Sequence, residues 1–226
     1  ILKFHGVDSA FDVWVNGEHA GYGKISRLPS EFDITSYIKE GENDITVRVY
    51  RWSDGTYLED QDMWWMSGIY RDVELINEPK QAVLDCQVGA SLDDDMETGL
   101  FSVDLTFKQS EARGSWMLSY EGEEVKTGTF ETKEGTVHVQ EKLPNVHRWT
   151  AETPHLYDLL VTLGDDTIRV RPGFRRIEIR DQQFLVNGQA ILLNGANHHD
   201  YDPEEGRTVS YEKVKEDLLL MKQHNI

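Results

Sequence analysis

A chain of 226 residues with 38% hydrophobic and 10% aromatic content can bury the core of one large or two ordinary domains, which argues against a disordered chain. Its formal net charge of −18 repels phosphate backbones and no basic stripe interrupts the acidity, so nucleic-acid binding by electrostatic attraction is excluded. The single Cys86 excludes an internal disulfide, no cluster of Cys and His has zinc spacing, and nothing in the sequence reads as a membrane segment.

Residues 1–78 read as short alternating strands joined by Asn-Gly and Gly-rich turns. The opening "ILKFHGV" is strand-like from its first residue and is no signal peptide, so further strands are expected upstream. "FDVWVNG" places Phe11, Val13 and Val15 on one face, and "NDITVRVYRW" does the same for Ile45, Val47 and Val49. Between them "SRLPSEFDITSYIKEGEN" predicts a Pro29 turn and a short helical piece closed by Gly41. The stretch "YLEDQDMWWMSG", residues 57 to 68, sets carboxylates against tryptophans: either the acids cap a loop and face water, or they serve a sugar pocket, where acids accept bonds from hydroxyls while rings cover C–H faces.

A linker is expected at Glu78-Pro79. Residues 79–172 then carry a second strand series, "QAVLDCQVGASL", "LFSVDLTFKQ", "WMLSYEGEEVKTGTF", "TVHVQEKL" and "LYDLLVTLG", spaced as in a small antiparallel sandwich, with Cys86 a packed thiol at a strand edge. Residues 173–226 change pattern again. A hairpin turns at Asn187-Gly188, the apolar run Ala190 to Leu193 reads as a strand buried on both sides, and Ser210 caps an amphipathic helix of about four turns reaching His224. One strand, one loop and one helix open a β/α architecture that needs further units to cover its strand.

"SRLPSEFDIT", "RWSDGTYLEDQDMWWMSGIYRDVEL", "WTAETPHLY", "GFRRIEI", "LNGANHHD" and "LLMKQHNI" together resemble, in order and spacing, the motifs of the family 2 β-galactosidases, of the lactose-cleaving and evolved catalytic-subunit types. The resemblance implies a mainly β fold: a partial jelly-roll sugar-binding sandwich over 1–78, an immunoglobulin-like sandwich over 79–172, and the first β/α unit of a TIM barrel over 173–226. It also implies retaining hydrolysis of terminal β-galactosides by two glutamates. Neither is matched in this chain, both being expected beyond Ile226, and Glu59, Glu204 and Glu205 are not read as a catalytic pair. The chain alone is therefore expected to be inactive.

Within the resemblance, Asp62 is the carboxylate that binds the galactosyl 6-hydroxyl side and one ligand of an incomplete sodium site. His199 corresponds to a histidine contacting galactosyl hydroxyls, and His198 stands where relatives have arginine. Lys24 replaces a glutamine near a subsidiary magnesium site, so that site is not carried over to Asp54. Na⁺ and Mg²⁺ are expected cofactors of the intact enzyme, with none held by this chain alone. Glu59 and Asp60 are expected to bond backbone amides or an arginine such as Arg51 or Arg71, and Trp64 and Trp65 to pack. The partners implied are a β-galactoside substrate and further copies of the parent enzyme, with no nucleic acid and no membrane; a cytoplasmic location is expected. Two alternatives stay open: a free-standing carbohydrate-binding module, and a family 2 hydrolase of a β-glucuronide or β-mannoside.

Overall fold

The computed structural model describes residues 1–79 and 81–226. They fall into two compact units, one formed by Ile1–Glu78 with Asn194–Ile226 and one by Pro79–Leu193. Among the described residues no helix is long and apolar enough to cross a membrane.

In the first unit the chain runs β1 (Leu2–Phe4), β2 (Val7–Asp8), β3 (Ala10–Val15), β4 (Glu18–Gly23), β5 (Ser30–Phe32), β6 (Ile45–Tyr50), α1 (Asp54–Leu58), β7 (Gly68–Ile69) and β8 (Val73–Leu75). Two antiparallel sheets, ordered β5-β1-β8 and β4-β3-β6, share this unit with the β2-β7 pair. Alternation in "FDVWV" does what period-two patterning dictates: Phe11, Val13 and Val15 are buried while Asp12 and Trp14 face outward. Rings from three strands interlock, Phe4 lying 4.9 Å from Phe11 and 6.0 Å from Phe32, with Phe11 and Phe32 5.7 Å apart. The β3-β4 turn uses Asn16 (φ 52°) and Gly17 (φ 85°), the positive-φ pair that a two-residue hairpin requires.

The helical piece expected between Pro29 and Gly41 is absent. Tyr37 and Ile38 each donate a backbone bond to Ile34 O, at 3.0 and 3.2 Å, and the coil goes no further. Asn43 stops it: its amide accepts from Lys39 N at 2.8 Å and donates to Lys39 O at 2.9 Å, taking the groups a second turn would use.

The second unit contains β9 (Val83–Leu92), β10 (Gly99–Phe107), β11 (Ala112–Tyr120), β12 (Glu123–Thr132), β13 (Thr136–Leu143), β14 (Asp158–Leu163) and β15 (Asp166–Val170). They form antiparallel sheets ordered β13-β10-β9 and β12-β11-β14-β15, the layout of an immunoglobulin-like sandwich. Phe101 of β10 meets Trp116 of β11 at 5.6 Å and Phe107 meets Phe130 at 5.4 Å, so aromatic pairs join the layers. Cys86 lies on the edge strand β9, half-buried against this core, and burial pushes its thiol pKa upward, as a packed thiol requires.

The β9-β10 loop is organised by Asp95, whose Oδ1 accepts from Glu97 N (2.9 Å) and Thr98 N (2.8 Å) and whose Oδ2 accepts from Thr98 Oγ1 (2.6 Å). The Thr98 hydroxyl and these amides favour the ionised carboxylate and lower its pKa from 3.8 to about 2. Because the folded value is depressed, the stabilisation is present above pH 3.8 and is lost as pH falls through about 2. Asp95→Ala should therefore lower the urea midpoint at pH 6, and the gap to the parent chain should shrink as unfolding is repeated towards pH 2.

Downstream, β16 (Ile177–Arg180), β17 (Gln183–Val186) and β18 (Gln189–Ala190) form a meander. Its second turn is the expected one, with Asn187 at φ 50° and Gly188 at φ 74°. The strand expected from Ala190 to Leu193 ends instead at Ala190, leaving Ile191, Leu192 and Leu193 41%, 92% and 78% exposed. Among the described residues β18 pairs only with β17, and an apolar run needs neighbours on both sides to persist as an interior parallel strand. Helix α2 (Tyr211–Gln223) begins as expected, Ser210 Oγ accepting from Lys213 N at 3.3 Å, and is capped by His224. Its Leu218, Leu219 and Leu220 remain about half exposed.

Candidate functional site

The loop holding the acids grows out of α1. Ser53 N donates to Thr56 Oγ1 at 3.1 Å at the helix start, and Glu59 N donates to Gly55 O at 2.8 Å at its end. A three-residue turn follows, Met63 N donating to Gln61 O at 2.7 Å, which puts Asp62 at the apex with its carboxylate displayed. His199 comes from the irregular segment after β18. Both residues belong to the first compact unit and line the same open cavity of about 420 Å³, with Met63, Trp64, Asp200 and Tyr201. That volume lies in the range of small-molecule sites, roughly 300–1,000 Å³.

The lining is chemically lopsided. It offers two carboxylates, an imidazole and a phenol, all able to bond hydroxyls, and no lysine or arginine. Trp64 forms one wall, 69% exposed, its ring 6.2 Å from Tyr201 with the planes 17° apart.

The packing expected of Trp64 and Trp65 is not found. Trp65 is 53% exposed and meets Trp52 edge-on at 5.9 Å, because a short irregular loop has no inner face on which to bury an indole. Among the described residues the arginine partners expected for Glu59 and Asp60 are not found either. Arg51 lies over Trp52, and Arg71 donates to Arg27 O and lies over Tyr70; Glu59 Oε2 is buried with no hydrogen-bond partner among the described residues.

His198 faces two carboxylates, its Nε2 3.2 Å from Asp217 of α2 and its Nδ1 3.5 Å from Asp200. An imidazole here thus meets acids on both of its nitrogens. Lys24 Nζ sits 2.6 Å from Asp54 Oδ2; the hydrogen bond raises the lysine pKa and lowers the aspartate's. An ammonium on Asp54 supplies the positive charge there itself. Glu204 and Glu205 are held in a surface turn by Asp202 Oδ1, which accepts both their amides at 2.8 and 3.1 Å.

Reasoning from sequence missed Tyr201 and Arg207. Tyr201 carried a faint signal, an aromatic two residues after His199. Arg207 carried none, yet its side chain is 6% exposed and reaches Asp8 Oδ2 at 2.7 Å and Met66 O at 2.9 Å.

No group of three or more His, Cys, Asp or Glu side chains that could hold a metal occurs among the described residues. Asp62 brings one carboxylate, which does not make a cation site on its own, so no chemical step is assigned to an ion here.

A jelly-roll-type sandwich, an immunoglobulin-like sandwich and a β meander leading to a helix, with an open cavity of acids and aromatics, define a multidomain, mainly β protein. Residues 1–79 match the sugar binding domain of glycosyl hydrolases family 2, residues 81–175 match glycosyl hydrolases family 2, and residues 177–226 match that family's TIM barrel domain. The chain belongs to glycosyl hydrolase family 2.

It is 40% identical over 242 residues to a β-galactosidase of Alteromonas mediterranea, covering 99% of this chain and 23% of that protein. A β-galactosidase of Priestia megaterium is 41% identical over 244 residues, covering 100% of this chain and 24% of the relative. The chain thus spans about a quarter of the length of these curated relatives. Among solved structures, β-glucuronidase 3 of Bacteroides uniformis superposes with a TM-score of 0.85 at 22% identity, covering 98% of this chain and 31% of that one. The Lactobacillus rhamnosus β-glucuronidase gives 0.80 at 25%, covering 98% and 40%. At 22% identity the first of these likenesses speaks for the fold alone.

Proposed function

We propose that this chain is the sugar-orienting portion of a retaining β-galactosidase acting on terminal, lactose-like β-galactosides. The observation that carries the reading is the meeting of Asp62 and His199 in one cavity whose lining has two carboxylates and no lysine or arginine. A neutral sugar presents hydroxyls that a carboxylate and an imidazole can bond. A uronic acid would bring its own carboxylate against Asp62 and Asp200 with no cation in the lining, and like charges in such contact cost several kcal/mol. That argument, with the 40% identity to β-galactosidases, favours galactoside over the glucuronide alternative.

In this reading Asp62 binds the side of the galactosyl ring carrying the 6-hydroxyl, His199 bonds a ring hydroxyl, and the stacked Trp64 closes the apolar side. The acid/base and nucleophile glutamates belong to the enzyme outside residues 1–226, so this chain binds and orients and does not break the bond. Asp62 would be one oxygen ligand of a sodium ion; Mg²⁺ has no ligand set among the described residues. The enzyme is read as a cytoplasmic homo-oligomer.

Paired assays test this. The enzyme carrying this chain should hydrolyse nitrophenyl β-galactoside with a kcat/KM about 100-fold or more above that for nitrophenyl β-glucuronide, a missing counter-charge being worth at least two factors of ten. The 226-residue chain by itself should hydrolyse neither. Comparable rates on both sugars, or turnover by the chain alone, would overturn the reading.

A further inference from the structure

The segment bearing His199 returns to the acidic loop at a second place, through Arg207. The guanidinium is almost enclosed, with a side chain 6% exposed. Its Nη1 donates to Asp8 Oδ2 at 2.7 Å and to Met66 O at 2.9 Å, and its central carbon lies 4.1 Å from the Tyr70 ring centroid. Three different elements thereby converge on one side chain: β2, the end of the loop that presents Asp62, and the residue following β7.

The local fold explains how Arg207 is aimed. Asp202 and Gly206 exchange backbone bonds of 2.7 and 2.9 Å, closing a turn whose last residue has φ +67°. A side chain at 206 would start 2.9 Å from Met66 Sδ, so this turn lies directly against the acidic loop, and glycine suits the positive φ there. Tyr70 is itself fixed, its hydroxyl donating to Ser26 O at 2.6 Å. Arg27 Nη2 sits 3.4 Å from Met63 Sδ, holding the other end of the same loop.

We propose that Arg207 is a positioning residue for the sugar cavity: its guanidinium ties the loop that carries Asp62 to the segment that carries His199, and so sets the separation of the two sugar-binding groups. The inference rests on the proposed function for what those groups bind. The tie itself rests on the contacts above. An arginine suits the task because a planar fork can donate to a carboxylate and a carbonyl while its face lies on a ring; a lysine offers a point charge that cannot do all three.

Hydrogen exchange on the chain as it stands tests the tie. In Arg207→Ala the amides of residues 60–67 should exchange about tenfold faster or more, the result of local opening made easier, while peptides from β9 to β15 are unchanged. Arg207→Lys, which keeps the charge beside Asp8, should fall between and carries the test if the alanine variant does not fold. Unaltered exchange at 60–67 in both variants overturns the proposal.

Steady-state kinetics in the enzyme carrying this chain test the consequence. Arg207→Ala should lower kcat/KM for nitrophenyl β-galactoside by about 100-fold, as a misplacement near 1 Å does, with most of the loss in KM. A variant that merely unfolds in part would lower kcat and leave KM alone, and that result overturns the positioning role. Because the effect runs through Asp62, the double variant with Asp62→Ala should be no worse than Asp62→Ala alone; additive losses overturn it too. If exchange responds but Asp62→Ala is kinetically silent, the tie stands and the proposed role of Asp62 fails.

Discussion

Replacing Asp62 with alanine in the enzyme that carries this chain is expected to lower kcat/KM for a nitrophenyl β-galactoside by about 100-fold, or roughly 2.7 kcal/mol of transition-state stabilisation. The size follows from the kind of bond lost. A carboxylate accepting from a sugar hydroxyl makes a charge-assisted bond, about twice as strong as a neutral one, and hydrogen bonds to charged groups contribute about 1.5–3 kcal/mol. Asp62 stands at the apex of a tight turn in a cavity that also holds His199 and Tyr201, so no neighbouring side chain of the same loop replaces it. Asp62→Asn keeps the shape and one acceptor oxygen and should recover part of the loss. His199→Ala removes a neutral partner and should cost about tenfold, in line with about 1 kcal/mol for such a bond. Steady-state rates over a substrate range wide enough to separate kcat from KM decide the matter. An Asp62→Ala enzyme within threefold of the parent would show that the carboxylate has no part in holding the sugar.

The features legible from sequence are those that short stretches of chain decide for themselves. Alternation in "FDVWV" specified which of its side chains are buried, Asn187-Gly188 specified a turn with two positive φ angles, and Ser210 specified a helix start. Each depends on neighbours within a few residues. Where a distant partner decides, local reading failed. The two bonds of Arg207 cross 199 and 141 residues of chain, and nothing near "EEGRTV" announces them. The segment after Pro29 has helical residues, but Asn43 competes for the backbone of Lys39. Ala190 to Leu193 reads as a buried strand because its residues are apolar, yet a strand forms only beside another. For the site, Asp62 and His199 were singled out by resemblance, while their meeting in one cavity, with Tyr201 and an exposed Trp64 as its wall, required the fold.

The largest effect on stability is expected from Phe101→Ala. Phe101 is fully buried on β10, its ring 5.6 Å from Trp116 on the opposite sheet and 6.4 Å from Phe174, which in turn meets Tyr157 at 4.9 Å. Alanine leaves a void between residue 101 on one sheet and Trp116 on the other, so collapse to fill it would have to bend both sheets. Phe→Ala changes in such places cost roughly 3–5 kcal/mol, a large part of the 5–15 kcal/mol that holds a typical domain together. Phe101→Leu retains most of the volume and should cost about 1.5 kcal/mol or less. Because the first compact unit has its own core of Phe4, Phe11, Val13 and Val15, the damage should stay local. Hydrogen exchange should accelerate across β10, β11 and β14 together while residues 10–15 keep their protection, and indole fluorescence should report the opening through Trp116. A loss below about 1 kcal/mol, the scale of an ordinary surface change or less, would mean that the sheets are held by the peripheral pairs, Phe107 with Phe130 first among them, and that the central ring is expendable.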